Sequence, residues 1–247
     1  MNTMSPQPPP NWGKDELTDF CQKAYENGFF SFVHFQDWIS RITKVDAALS
    51  KASKHLDNTV DLISGLFLMK ARASFLGASR LVMSGQLPEA YMLLRSCLEN
   101  ALYGFKIWKC PESAEVWLRR HDDDEHDEKS KWLCREVFSH GSLIRLLGEH
   151  DQSLVEKIRK LYDHSIDYGA HPNERSLSSS VRITDNEQGG KRYNVHYFNI
   201  NETAIKLAFK STAQVGVCVL MIFQHIFQTR FDIINISEDI ATLRRGL

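Results

Sequence analysis

This sequence has no uninterrupted apolar run of membrane-spanning length, no close pair of cysteines and no surplus of either charge. Lys and Arg number 30 and Asp and Glu 31, a formal net charge of -1. No global field gathers nucleic acid or an anionic membrane, so such binding would need a local patch. The most apolar stretch, AQVGVCVLMIFQHIF at 213–227, is interrupted by Gln224 and His225 and flanked by Lys206, Lys210 and Arg230. It reads as the buried helix of a bundle, not as a membrane span. Cys21, Cys97, Cys110, Cys134 and Cys218 contain no C-x-x-C spacing, which points to reduced thiols. The start, MNTMSPQPPPNWG, has neither the basic nor the apolar region of a secretory signal. Residues 1–13 are therefore expected to form a mobile proline-rich tail, and the protein to be cytoplasmic and off the membrane.

Motifs that mark common chemistries are also missing. The chain has no G-x-x-x-x-G-K-[ST], no G-x-G-x-x-G and no G-x-S-x-G, which removes nucleotide hydrolysis and α/β-hydrolase chemistry. It has no E-x-x-H either, the element that di-iron bundles repeat. HDDDEHDE at 121–128 holds many competent ligands but reads as a solvated acidic segment. Neither metal nor cofactor is expected.

What is present is mostly helical periodicity. Hydrophobic residues make up 43% of the chain, enough for one sizeable core. Residues 14–247 read as a single, mainly α domain: a helical bundle around a long antiparallel hairpin spanning 58–109, turned by SGQLPEA. Small residues at Gly65, Ala71, Ala73, Ser74, Gly77, Ala78 and Ser79 predict close helix packing. Asn27-Gly28 marks a plausible end for the first helix, Asp151 a cap for a later one, and NINE a capping box from Asn199 to Glu202 ahead of a long helix to about Arg230. Over 178–198 the period becomes two, with Val181, Ile183, Tyr193, Val195 and Tyr197, which predicts a small inserted β-hairpin with its aromatics on an inner face. Long helices with apolar faces to spare suggest a homodimer.

Two polar anomalies stand out. In DQSLVEKIRKLYDHSIDYGAHPN, Leu154, Ile158, Leu161, Ser165 and Tyr168 recur at helical spacing, so Ser165 and Tyr168 fall on the apolar face. His164, Tyr168 and His171 share a stripe if the helix persists, while Gly169 and Pro172 favour its ending and leave His171 as a cation at a helix C-terminus. In LPEAYMLLRSCLENALYGF, Arg95 and Glu99 stand four apart in a helix apolar almost all round. Burying such a pair is costly unless further hydrogen bonds satisfy it, so it is a structural ion pair or part of a site.

The combination of RSCLE with YDHSIDYGAHPN resembles a group of uncharacterised bacterial helical proteins with an R-x-x-x-E helix and a downstream Y-x-x-S-x-x-x-x-x-H element, similar in outline to the HEPN superfamily. HEPN ribonucleases pair an arginine with a histidine a few residues on, at a site that a dimer assembles. The resemblance implies Arg135 with His140, or Arg159 with His164, as such a pair acting on RNA without metal, the histidine as general base and the arginine on the phosphate. Two expectations follow. The first is a soluble binding or interaction protein whose pocket is lined by Arg95, Glu99, Tyr162, Ser165, Tyr168 and His171 and takes a small polar ligand through an anionic or carbonyl group. The alternative is a HEPN-like ribonuclease of toxin or phage-defence type.

Overall fold

The computed structural model describes residues 8–54, 56, 61–121, 127–170, 174–185 and 189–247. Asp15 accepts from the Thr18 amide at 2.9 Å and opens α1 (Glu16–His34); after Phe35 comes α2 (Gln36–Lys54). The expected long hairpin is α3 (Leu62–Ser84) and α4 (Leu87–Lys109). Gly85 turns it at φ +84°, left-handed backbone that a side chain would strain. Then follow α5 (Glu112–Leu118), α6 (Asp127–Val137), α7 (His140–Gly148) and α8 (Gln152–Ser165), the last capped by Asp151 on Leu154 N as expected. A π turn (Ile166–Ala170) and α9 (Glu174–Ser180) lead into β1 (Val181–Asp185) and β2 (Lys191–Val195). The chain closes with α10 (Glu202–Ile226), α11 (Gln228–Ile233) and α12 (Ile236–Leu243). The fold is a mainly α bundle carrying a small β-hairpin.

The core forms around α10, which packs on α2, α3, α4 and α8. This helix is long and apolar enough to cross a membrane, yet 78% of its most apolar 18-residue window is buried inside the bundle. Small residues set the approach of its neighbours. A Cβ on Gly216 would lie 2.4 Å from Val45 Cγ1 and 2.6 Å from Phe75 Cε2. Along the α3–α4 seam, Ser64 Oγ donates to Gly104 O at 2.9 Å, Cys97 Sγ lies 3.2 Å from Ala71 O, and a Cβ on Gly77 would meet Leu93 at 2.7 Å. The close packing read from these small residues is realised.

Four local expectations fail, each for a tertiary reason. Asn27-Gly28 does not end α1: Asn27 Nδ2 donates to Ser84 O at 3.1 Å and Ser31 Oγ to Met83 O at 2.7 Å, and these bonds hold the helix along the end of α3 to His34. The α10 cap is Asn201, whose side chain accepts from Ala204 N, because the backbone of Asn199 is engaged with the hairpin turn through Asn199 N to Gly85 O at 2.8 Å. The long helix expected to run to Arg230 breaks at Phe227, which is buried together with Phe231 at the next turn. The β-hairpin forms with Ile183 opposite Tyr193 and Val181 opposite Val195, but its aromatics are not an inner face. Tyr193 and Tyr197 are each 67% exposed and Ile183 56%: alternation sets a strand, while burial needs a partner surface that this two-stranded sheet does not cover. Of the residues read as a tail, 8–13 lie within the description; there Trp12 Nε1 donates to Gln22 Oε1 at 3.0 Å and Gly13 N to Thr18 Oγ1 at 3.0 Å, folding back on α1.

Candidate functional site

Tyr91, Arg95 and Glu99 of α4 follow one another at one helical turn, and α8 with its π turn lies along that stripe. Buried Leu154, Val155, Ile158, Tyr162 and Ser165 give α8 the inward face that its spacing predicted. At one end Arg95 Nε donates to Glu99 Oε1 at 2.8 Å, and the same carboxylate oxygen accepts from Tyr162 Oη at 3.0 Å. The Arg95 guanidinium carbon stands 4.9 Å from the Tyr162 ring centroid, a cation–π distance. His140, the first residue of α7, stacks on Tyr162, 3.7 Å between the two ring centroids. Its Nδ1 is, among the described residues, the buried side-chain nitrogen or oxygen that has no hydrogen-bond partner. Such an atom is rare in a folded interior and needs an explanation.

The other end of the stripe is aromatic. Tyr91 lies 5.7 Å from Tyr168 and 5.2 Å from His164 between ring centroids, and His164 meets Tyr168 edge-on at 4.5 Å. Ser211 Oγ of α10 stands 3.5 Å from His164 Nδ1. Gly169 makes this arrangement possible: a Cβ there would lie 2.0 Å from Pro88 O, so the π turn presses directly on the first turn of α4. Gly169 was read as a helix terminator; its structural role is close backbone approach, and its backbone is not left-handed.

Burial sets the electrostatics. It pushes the Tyr162 hydroxyl up to about 12, aided by the Glu99 carboxylate, and the Tyr91 hydroxyl likewise to about 12, aided by Tyr168. The Arg95 guanidinium is held above its ordinary value: burial opposes its charge, but the hydrogen bond and field of Glu99 outweigh that cost. Burial lowers the His140 pKa, with Arg95 and Arg159 adding to the effect against Glu99 and Asp163. Burial lowers that of His164 as well, with Arg175 adding and Asp167 opposing. Burial thus favours the neutral form of both imidazoles. A histidine with a depressed folded-state pKa leaves stability intact above its ordinary value of about 6.5, and stability is lost as pH falls toward the folded value while the unfolded chain takes up the proton. The melting temperature should therefore fall on acidification below about pH 6.5, and His140→Phe, which keeps the stacked ring and removes the titration, should flatten that limb in scanning calorimetry. An unchanged acid limb would place the protonation elsewhere.

The residues singled out in the sequence thus sort into two clusters. Arg95, Glu99 and Tyr162 come together, whereas Tyr168 meets Tyr91 and not Arg95. Ser165 is buried between them, its hydroxyl donating to Tyr162 O at 2.6 Å. His171 lies outside the described residues, as do the acidic positions 122–126. Arg135 is exposed on α6 while His140 turns inward to Tyr162, so REVFSH does not bring its two ends together within the chain. Arg159 is exposed and within the field of His140, whereas His164, five residues on, faces α10; a helix carries such a pair on divergent faces. Tyr91 was read as a neighbour of Arg95 on its stripe but not as a site residue, and the joining of His140 to Arg95 and Glu99 was missed. Tyr91 stands four before Arg95 and was legible as part of the stripe, but nothing local in SHGS at 139–142 shows that His140 meets α8. Among the described residues no cluster of three metal-ligating side chains occurs. No known protein family, curated protein or solved structure matches the chain.

Proposed function

We propose that this chain is a binding protein whose site is the Arg95–Glu99–Tyr162–His140 cluster and whose ligand is small, polar and uncharged. One observation carries the reading: His140 Nδ1 is buried and, among the described residues, without a hydrogen-bond partner, beside the Arg95–Glu99 ion pair, and burial favours the neutral form of its ring. A carboxylate ligand would face Glu99; an amide or hydroxyl group can hydrogen-bond to the imidazole nitrogen and adds no charge to the site. The test follows the side-chain nitrogens of His140 by NMR during titration with acetamide and, separately, acetate. Acetamide is expected to shift Nδ1 with a dissociation constant in the millimolar range, about 4 kcal/mol for a ligand of a few heavy atoms, and acetate is not. His140→Phe should abolish the response. If neither compound moves the nitrogen, the cluster is a structural polar seam.

The ribonuclease alternative draws on the same atom, since a neutral histidine in the field of Arg159 and Arg95 is in the state a general base requires. RNA cleavage in chelator that His140→Phe abolishes would replace the binding reading with that one.

We also propose a homodimer formed along α3. Leu62, Leu66, Met69, Ala73, Leu76 and Arg80 recur at alternating spacings of four and three, the seam of a coiled coil, and all six are exposed. Leu62, Leu66, Met69 and Leu76 are 61%, 54%, 52% and 43% exposed, an open apolar stripe of the kind that forms the core of a stable interface.

A further inference from the structure

Helix α8 carries a second stripe on the side away from Arg95. Lys157, Lys160, Leu161 and His164 recur at three, one and three residues, and α10 faces them with Gln214, Val217, Cys218 and Met221 at the same intervals. Between the two stripes lies a cleft of about 320 Å³. Arg244, just after α12, and Leu247 complete its lining.

The chemistry of this cleft is two-sided. Its floor is apolar, with Val217, Cys218 and Met221 all buried. Cys218 belongs to the apolar side: burial pushes its thiol up to about 12, so at neutral pH it carries no charge and is neither nucleophile nor metal ligand. The rim is cationic. Lys157, Lys160 and Arg244 are exposed, and among the described residues none of them forms an ion pair. A carboxylate that acts on Cys218 against them, Asp151, stands 3.7 Å from His225. Lys157 and Arg244 both act electrostatically on Cys218, so two rim cations converge on the same part of the floor. In a chain of net charge -1, three uncompensated cations around one apolar cleft are a local patch, of the kind that its overall composition leaves as the only route to anion binding.

We propose that the α8–α10 cleft binds an amphipathic monocarboxylate, its acyl or aryl tail on Val217, Cys218 and Met221 and its head group between Lys157 and Arg244. A cleft of this size suits a small ligand, and an apolar bed with a few convergent polar groups is the usual construction of such sites. Tail and head each contribute too little alone: the tail without charge forgoes the rim, and a bare anion forgoes the floor. The site is separate from the His140 cluster on the opposite side of α8, and its occupancy does not depend on the function proposed for that cluster.

Isothermal titration of the full chain with octanoate tests the site, with 1-octanol as the uncharged tail and inorganic phosphate as the bare anion. Octanoate is expected to bind with a dissociation constant of roughly 0.1 mM, and both controls about tenfold more weakly or worse. Lys157→Gln combined with Arg244→Gln, two exposed positions whose replacement leaves the core intact, should weaken octanoate by at least about tenfold with no change in melting temperature. His140→Phe should leave octanoate binding unchanged, which separates this site from the other. Phosphate binding as tight as octanoate would overturn the apolar half of the proposal. Octanol binding as tight as octanoate, or octanoate binding indifferent to the double variant, would overturn the cationic half. No octanoate binding at millimolar concentration would overturn both.

Discussion

Gly169→Ala is expected to lower the melting temperature by about 6–12 °C, which corresponds to roughly 3 kcal/mol for a chain of this size. The added Cβ would lie 2.0 Å from Pro88 O, 2.7 Å from Pro88 C and 2.8 Å from Pro88 Cα. All three are backbone atoms in the first turn of α4, so no rotamer change relieves the overlap; either the π turn lifts away or the start of α4 moves. Lifting the turn separates Tyr168 from Tyr91, so the variant should also lose that contact at the aromatic end of the stripe. Gly28→Ala is the matched control. A Cβ there meets nothing within 4 Å and the position is helical, so the change should be neutral or stabilise by about 0.5–1 kcal/mol. Thermal unfolding of the two variants side by side checks the prediction, and equal behaviour would refute the close approach of the π turn to α4.

The second large effect concerns the α3 seam. Leu66→Glu with Leu76→Glu is expected to weaken self-association at least about a hundredfold, close to 2.7 kcal/mol, read by sedimentation velocity as a shift from dimer to monomer. The stripe is nearly self-complementary about Ala73. Met69 and Leu76 flank it by four and three residues and Leu66 and Arg80 by seven on either side, so an antiparallel second copy sets Met69 against Leu76 and Leu66 against Arg80 across a two-fold axis. The small side chain at the centre lets the two helices approach closely. Leu66 and Leu76 are 54% and 43% exposed, so carboxylates there disturb the fold of one chain little. Across that axis the carboxylate at 76 would face the apolar Met69 and the one at 66 would meet Arg80, so the loss comes from the apolar area removed and from a charge buried against a thioether. A parent chain that sediments as a monomer at roughly 100 µM, well above the dissociation constant expected of an interface of standard size, would remove the dimer.

Much of the fold was legible because helix period and caps are local properties. SGQLPEA turns the α3–α4 hairpin at Gly85, Asp151 caps α8 through its own side chain, and the 3.6-residue period put Ser165 on an inward face, where it is 1% exposed. The change of period at Val181 likewise located the β-hairpin. Legibility stopped where two segments compete for one group. Asn199 and Asn201 are both competent caps, and only the bond from Asn199 N to Gly85 O decides that Asn201 serves.

The candidate site shows the same division. Spacing alone placed Arg95 with Glu99, since four residues bring two side chains onto one helical face. That the carboxylate also takes the Tyr162 hydroxyl, that His140 stacks on that ring, and that Lys157 and Arg244 meet over one floor depend on how α4, α7, α8, α10 and the end of α12 cross. By itself the sequence determined the helices, their inward faces and the presence of a charged pair among apolar neighbours, because each follows from residues within one or two turns. Only the tertiary structure decided which polar groups share a partner and which, like His140 Nδ1, have none, because hydrogen bonds and burial belong to pairs of helices far apart in the chain.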